Sequence, residues 1–237
     1  MSPETSTALA APLAIGEAGA GVALWLCPLE GRDEEIDALA RTLSPTELAR
    51  AGRFGTARLR KRWITGRATL RRLVGNALGV DPASVAIHRG VRGRPQLTAA
   101  YGLDFNISHT EDVALIAIAG GLPAGSRIGV DIERRDRVVN ADRLARKFMA
   151  DAERAAMTPL DGDSRRLHFL ALWTCKEAMS KATGDALSAP FREIEVALDG
   201  GPRLVAGPPP YVPEGWRLVR PAVPAAFIAT VAIWRGS

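Results

Sequence analysis

Three short segments of this chain gather side chains that handle charge. In Ile128-Gly129-Val130-Asp131-Ile132-Glu133 two carboxylates stand two residues apart. On a strand, alternate side chains share a face, so Asp131 and Glu133 point one way while Val130 and Ile132 point into a core. Two carboxylates side by side repel unless a cation or a proton relieves them. Oxygen ligation by one or two carboxylates, completed by water and a substrate's phosphates, is what Mg²⁺ prefers. The plainer alternative is a strand end where Glu133 pairs with Arg134 or Arg135 in solvent.

The second segment runs from Trp173 to Gly184 and holds Lys176-Glu177-Ala178-Met179-Ser180-Lys181. Glu177 and Lys181 are four apart and share a helix face. A surface pair of this kind contributes little. Leu167, Leu170, Leu172, Trp173 and Ala178 make this helix apolar over most of its surface, however, and a buried Lys–Glu pair is costly unless it faces a ligand. The third segment, Phe105-Asn106-Ile107-Ser108-His109-Thr110, holds one of the chain's 3 histidines at a predicted strand end. Upstream, Gly93-Arg94-Pro95-Gln96-Leu97 reads as a rigid turn.

The elements that must position these groups follow from periodicity and turn residues. Residues 22–29 read as a buried strand. Ser44-Pro45-Thr46-Glu47 is a helix start, with Ser as cap, Pro in the first turn and Glu three residues on. An Arg-studded helix is predicted over 56–78, closed by Gly79, followed by strands at 85–89, 104–108, 113–119 and 128–132. Helices at 141–150, 151–157 and 165–182 come next, the last ending at Gly184, then strands at 194–198, 216–220 and 227–234. The order of elements repeats. A shift of about 110 residues lays Trp63 over Trp173, Val85 near Glu195, and 113–119 over 223–229. The expected fold is therefore α+β, with two pseudo-equivalent halves related by a pseudo-twofold, residues 22–125 and 126–237, after a loose tail at 1–21. The site is expected in the cleft between them.

Composition narrows the class. In 237 residues, 47% are hydrophobic and 24% charged, as in ordinary globular proteins. No apolar run reaches the roughly 18 residues of a membrane span. The first residues carry Glu4 and Glu17 and no basic residue, which does not fit an export signal. Cys27 and Cys175 then read as free thiols in a reducing cytoplasm. A net charge of +5 favours polyanionic partners. A nucleic-acid binder would interleave aromatics among Arg58–Arg72, and none of the needed pattern is there. No Walker-type loop supports a nucleotide hydrolase or similar Mg²⁺-dependent phosphate enzyme.

Taken in order, the segments G-[IV]-D-[IV]-E and W-[ST]-x-K-E-A-x-x-K-x-x-G resemble the signature of the 4′-phosphopantetheinyl transferase superfamily. F-N-[IL]-S-H-[ST] and the preceding G-x-P turn resemble its larger, monomeric, surfactin-synthetase-activating type. The resemblance covers roughly residues 44–184. It implies two fused copies of a small α+β fold with coenzyme A between them. Asp131, Glu133 and Glu177 would hold Mg²⁺ against the pyrophosphate, and Lys181 would face the phosphates. Ser108 and His109 would contact the nucleotide end, with Gly93, Arg94 and Pro95 along the adenine, mainly through backbone. Arg50, Arg53 and Arg62 fall where the family places basic residues near the 3′-phosphate. Two departures stand out: Arg94 where the family often has Lys, and Glu47 where Lys is sometimes found. The implied partner is an acidic acyl or peptidyl carrier protein, with no role for nucleic acid or membrane. A catalytically silent, coenzyme A-binding relative would lack a metal ligand or Lys181, and all four residues are present.

Overall fold

Strands apolar on both faces must lie between layers, and those of this chain do. The computed structural model of the chain describes residues 13–17, 21–31, 33–90, 92–98 and 102–236. Strands β1 (Leu13–Glu17) and β2 (Val22–Pro28) lead into helices α1 (Asp33–Ala40), α2 (Pro45–Ala51) and α3 (Ala57–Leu78). A two-stranded ribbon, β3 (Ile87–Arg89) and β4 (Pro95–Leu97), precedes β5 (Leu103–Thr110), β6 (Val113–Gly120) and β7 (Arg127–Arg134). Helices α4 (Ala141–Phe148), α5 (Asp151–Met157) and α6 (Gly162–Thr183) follow. The chain continues through β8 (Glu195–Ala197), β9 (Arg203–Ala206), β10 (Trp216–Val219) and β11 (Phe227–Trp234).

Two antiparallel sheets result, in the orders β1-β2-β6-β5 and β10-β11-β7. Strict alternation distributes their side chains. Leu115, Ala117 and Ala119 of β6 join Val22, Leu24 and Leu26 of β2 in the core between the sheets, where they meet Ile128, Val130 and Ile132 of β7. Ala114, Ile116 and Ile118 point the other way, onto Leu70 and Val74 of α3. On the far side, Ile228 and Ala232 of β11 pack against α6. The order of layers is thus α3, sheet, sheet, α6, and the expected pair of similar α+β halves is what forms.

The seam between the halves is stitched by side chains. β5 and β7 are edge strands of different sheets, and residues 104, 106 and 108 share one face of β5. Asp104 Oδ2 accepts the Ile128 N–H at 2.8 Å, and Asn106 Oδ1 accepts the Val130 N–H at 3.0 Å. Ser108 Oγ donates to Asp131 Oδ1 at 2.7 Å.

The helix signals hold. Ser44 and Glu47 form a reciprocal capping box, and Gly79 and Gly184 end α3 and α6 in the left-handed region, at φ 69° and 86°. Three expectations change. Residues 13–17, expected from composition to be tail, form β1, with Leu13 opposite Leu26 and Glu17 opposite Ala23; residues 1–12 and 18–20 lie outside the described residues. A bare edge on β2 gains backbone partners this way, which composition does not report. The repeat also has no single offset. α3 and α6 begin at 57 and 162, β6 and β11 at 113 and 227, so the spacing drifts from 105 to 114. β6 corresponds to β11 and not to 223–229, which include Pro224 and non-strand residues. Finally, the strand predicted from residue 85 starts at Ile87, because Asp81-Pro82 opens a short 3₁₀ turn that runs to Ser84. Among the described residues, no helix is long and apolar enough to cross a membrane.

Helix α6 rests on β7 at a glycine. A Cβ on Gly129 would stand 1.9 Å from the Ala178 carbonyl oxygen and 2.7 Å from the Ala182 nitrogen, both backbone atoms that cannot swing aside. Gly129→Ala is expected to cost about 3 kcal/mol or more, since overpacking against backbone must push a whole element. Urea denaturation of the variant checks this; an unchanged midpoint contradicts the contact.

Candidate functional site

The glycine contact decides what Asp131 and Glu133 face. They share the side of β7 on which Gly129 receives α6, and α6 turns Glu177 and Lys181 toward that side. Lys181 Nζ lies 2.6 Å from Asp131 Oδ1 and 2.7 Å from Ser108 Oγ, so groups from β7 and β5 converge on one ammonium of α6. Lys181 thus pairs with Asp131 and not with Glu177, its partner by helix spacing. Glu133 pairs with Arg137, four residues on, and not with Arg134, which takes Asp136.

Among the described residues, three buried carboxylate oxygens remain without a hydrogen-bond partner, and two of them belong to this group: Asp131 Oδ2 and Glu177 Oε1. Burial, and then the nearby Asp131 charge, push the Glu133 carboxyl up to about 7 despite Arg137. Burial likewise raises Glu177, against the pull of Lys181. Among the described residues no three His, Cys, Asp or Glu side chains enclose a ready-made metal cage. A hard divalent cation needs none when a substrate's phosphates and water complete its shell. Crowded carboxylates with orphaned buried oxygens suit such a cation chemically.

Beside these groups lies a basic cleft of about 670 Å³, lined by Arg50, Arg53, Arg62, Arg67, Arg89 and His109, among others. Pro95 and Ile107 separate it from a smaller hollow of about 300 Å³ that straddles the halves, with Gly93 and Arg94 on one side and Lys181 on the other. The larger cleft belongs to the N-terminal half alone; the smaller one lies on the seam. Burial lowers the Arg89 pKa, and repulsion from Arg50 and Arg67 adds to it, as expected where cations crowd around a place for an anion. Desolvation and then the Lys181 charge lower the pKa of His109, which favours the neutral ring. Of the predicted residues, Arg50, Arg53, Arg62, Pro95 and His109 line the larger cleft, Gly93, Arg94, Pro95 and Lys181 line the smaller one, and Lys181 bonds to Ser108 and Asp131.

Several residues named from the sequence have partners that it does not assign. Glu47 is buried and bonded to Arg67 and Arg71, its carboxylate 2.7 Å from Arg71 Nε. Burial alone raises its pKa, but Arg67, the Ser44 N–H and Arg71 outweigh this and the net shift is downward. The acidic residue at this position is matched by arginines at i and i+4 of α3, a spacing visible in the sequence. For Arg94 the resemblance implies mainly a backbone contact, but its side chain is buried and makes an ion pair with Asp104, 2.7 Å apart. Lys176 is fully buried, 2.6 Å from Glu153, and donates to the carbonyls of Phe148, Phe191 and Ile194. It ties α6 to its surroundings and faces no cleft. Cys27 and Cys175 are free and buried, and burial pushes their thiols up to about 12 and about 11.

A cleft lined with arginine, next to crowded carboxylates at the junction of two similar α+β halves, suits a protein that handles anionic groups such as phosphates. Residues 127–216 match the 4′-phosphopantetheinyl transferase superfamily, and residues 30–120 match the family described as 4′-phosphopantetheinyl transferase, N-terminal. The 4′-phosphopantetheinyl transferase HetI of Nostoc is 39% identical over 75% of this chain and 74% of its own. A putative 4′-phosphopantetheinyl transferase of Synechocystis is 31% identical over 72% of this chain and 68% of its own. The 4′-phosphopantetheinyl transferase of Bacillus subtilis is 26% identical, over 72% of each. The chain belongs to the 4′-phosphopantetheinyl transferase superfamily.

The Glu133 shift has a sign that can be measured. Its folded pKa, about 7, exceeds the unfolded value, so folding takes up a proton between roughly pH 4.5 and 7. Stability is greatest below that window and falls as pH rises through it. In buffer free of divalent cations, the urea midpoint of the parent chain should drop more between pH 5 and 8 than that of Glu133→Gln. Parallel curves for the two proteins contradict the assigned shift.

Proposed function

We propose that this chain transfers the 4′-phosphopantetheine arm of coenzyme A to a serine of an acyl or peptidyl carrier protein, releasing adenosine 3′,5′-bisphosphate. The activity is the one named for its curated relatives. The observation that carries the reading is the pair of unpartnered buried oxygens on Asp131 and Glu177, beside Lys181 and next to a cleft lined with arginine.

Asp131, Glu133 and Glu177 would hold Mg²⁺, which when bound supplies positive charge to neutralise the phosphates undergoing transfer. Glu177 takes the proton of the carrier serine as its oxygen attacks the β-phosphate of coenzyme A. Burial raises its pKa above that of a free carboxyl, the direction that makes it a stronger base. The bond from the β-phosphorus to the bridging oxygen breaks, and Lys181 stabilises or protonates the departing α-phosphate. Arg50, Arg53 and Arg62 bind the 3′-phosphate, where the planar guanidinium fork suits bidentate contacts. Ser108 and His109 hold the nucleotide end, and the backbone of Gly93, Arg94 and Pro95 borders the adenine. The basic surface steers the acidic carrier. We assign residues 22–125 and 126–237 as the two domains, and infer a cytoplasmic monomer whose internal duplication supplies both walls of the site.

Incubation with apo carrier proteins, coenzyme A and Mg²⁺, followed by intact-mass spectrometry, should add the mass of one phosphopantetheine arm to the carrier, and EDTA should prevent it. No gain on any carrier refutes the proposal. Asp131→Ala and Glu177→Ala should each lower turnover by about 100-fold or more with the circular dichroism of the parent. Near-parental turnover in either variant removes that residue from the site.

A further inference from the structure

The side chain of Arg94 does more than its place in a glycine-proline turn requires. It leaves the β3–β4 ribbon and enters the seam between the halves, where it is 5% exposed. Its Nη1 and Nη2 donate to the two oxygens of Asp104 on β5, at 3.0 and 2.7 Å. Nη2 also reaches the Phe105 carbonyl at 3.2 Å and the Ile128 carbonyl of β7 at 2.8 Å. Its Nε donates to the carbonyl of Lys181 at 3.0 Å. Asp104, in turn, accepts the N–H of Ile128.

The bond to Lys181 is made at the end of a helix. The last carbonyls of α6 have no partner further along the helix. That of Ser180 takes the Gly184 N–H, and that of Lys181 takes the guanidinium of Arg94, a cation at the negative end of the helix dipole. The Arg94 stem lies over Gly184, where an added Cβ would stand 3.6 Å from Arg94 Cβ. One planar fork therefore holds the turn that carries Lys181 and the strand that carries Asp131. A lysine here would offer one compact ammonium in place of a rigid planar fork whose Nε, Nη1 and Nη2 donate in fixed, separate directions to α6, β5 and β7.

We propose that Arg94, locked by Asp104, is a positioning residue for Lys181: it fixes the last turn of α6 and the start of β7 to the N-terminal half, so that the Lys181 ammonium meets Asp131 and Ser108. The inference rests on the transferase reading above and assigns the Arg94 side chain a role distinct from any backbone contact with adenine.

The test compares Arg94→Lys and Asp104→Asn with the parent chain, the second variant loosening the fork from the opposite side should the first fail to fold. Misplacing a reacting group is expected to lower kcat by about 10- to 100-fold while the calorimetric Kd for coenzyme A stays within about threefold. A small acylating reagent, read by peptide mass spectrometry, should label Lys181 faster in both variants, because its ammonium is no longer held. A lower melting temperature with parental kcat and parental labelling overturns the proposal and leaves a staple for stability only. A weakened affinity for coenzyme A that accounts for the whole loss also overturns it, in favour of a direct contact. Failure of the transferase reading shows separately, in the parent chain, which then modifies no carrier.

Discussion

Everything at the site depends on how closely α6 approaches β7. The backbone of the helix touches the strand at Gly129, where no side chain fits, and the next residues on that face are Asp131 and Glu133. Any larger residue at 129 would lift α6 and carry Glu177 and Lys181 away from the carboxylates. The cost of holding like charges together is borne by the surrounding core. Leu170, Leu172, Ala178 and Met179 of α6 are all buried, and the Lys176–Glu153 pair fastens the same helix to α5. Breaking such a buried pair costs about 3–5 kcal/mol, more than a surface ion pair contributes. The rigidity of α6 thus rests on apolar area and one satisfied internal charge, and the strain of the carboxylates is kept local.

The two halves contribute different chemistry to one frame. The N-terminal half supplies cations: Arg50, Arg67 and Arg89 crowd one cleft, and Glu47 behind it holds Arg67. The C-terminal half supplies anions on β7 and α6. Between them, Asp104 and Asn106 of β5 accept backbone N–H groups from the edge of β7 with side-chain oxygens, where a neighbouring strand would have used its backbone, and Ser108 donates to the Asp131 side chain. That choice leaves a gap wide enough for Arg94 and Lys181 to enter the seam, which direct strand pairing at about 4.8 Å would close.

Much of this is legible in the sequence because it rests on period and local chemistry. Alternation in Val113–Gly120 and Arg127–Arg134 tells which residues face which layer, and the capping box at Ser44 and the glycines at 79 and 184 mark helix ends. The shared face of Asp131 and Glu133 follows from strand geometry alone. What stays hidden is long-range. Helix spacing puts Glu177 beside Lys181, but only the packing of α6 shows that Lys181 prefers Asp131. The Phe105–Thr110 segment stands out in the sequence for His109, whereas Asn106 and Ser108 stitch the seam. The reach of the Arg94 side chain across three elements has no local signature at all. The single repeat offset fails for the same kind of reason: loops of unequal length separate equivalent strands, and only the sheet order pairs β6 with β11.

The register of the sheets shows how far the likeness of the halves extends. Val22 stands opposite Ala119 as Ile128 stands opposite Ile233, so the strand positions of Asp131 and Glu133 are filled in the first half by Trp25 and Cys27. Both of these lie in or against the apolar core under α3. The frame is doubled but its reactive groups are not, and the molecule has a chemical polarity that its architecture lacks. A long ligand with phosphates at one end finds complementary charge in one orientation only, so direction of entry is written into the duplicated scaffold by what one copy holds and the other lacks.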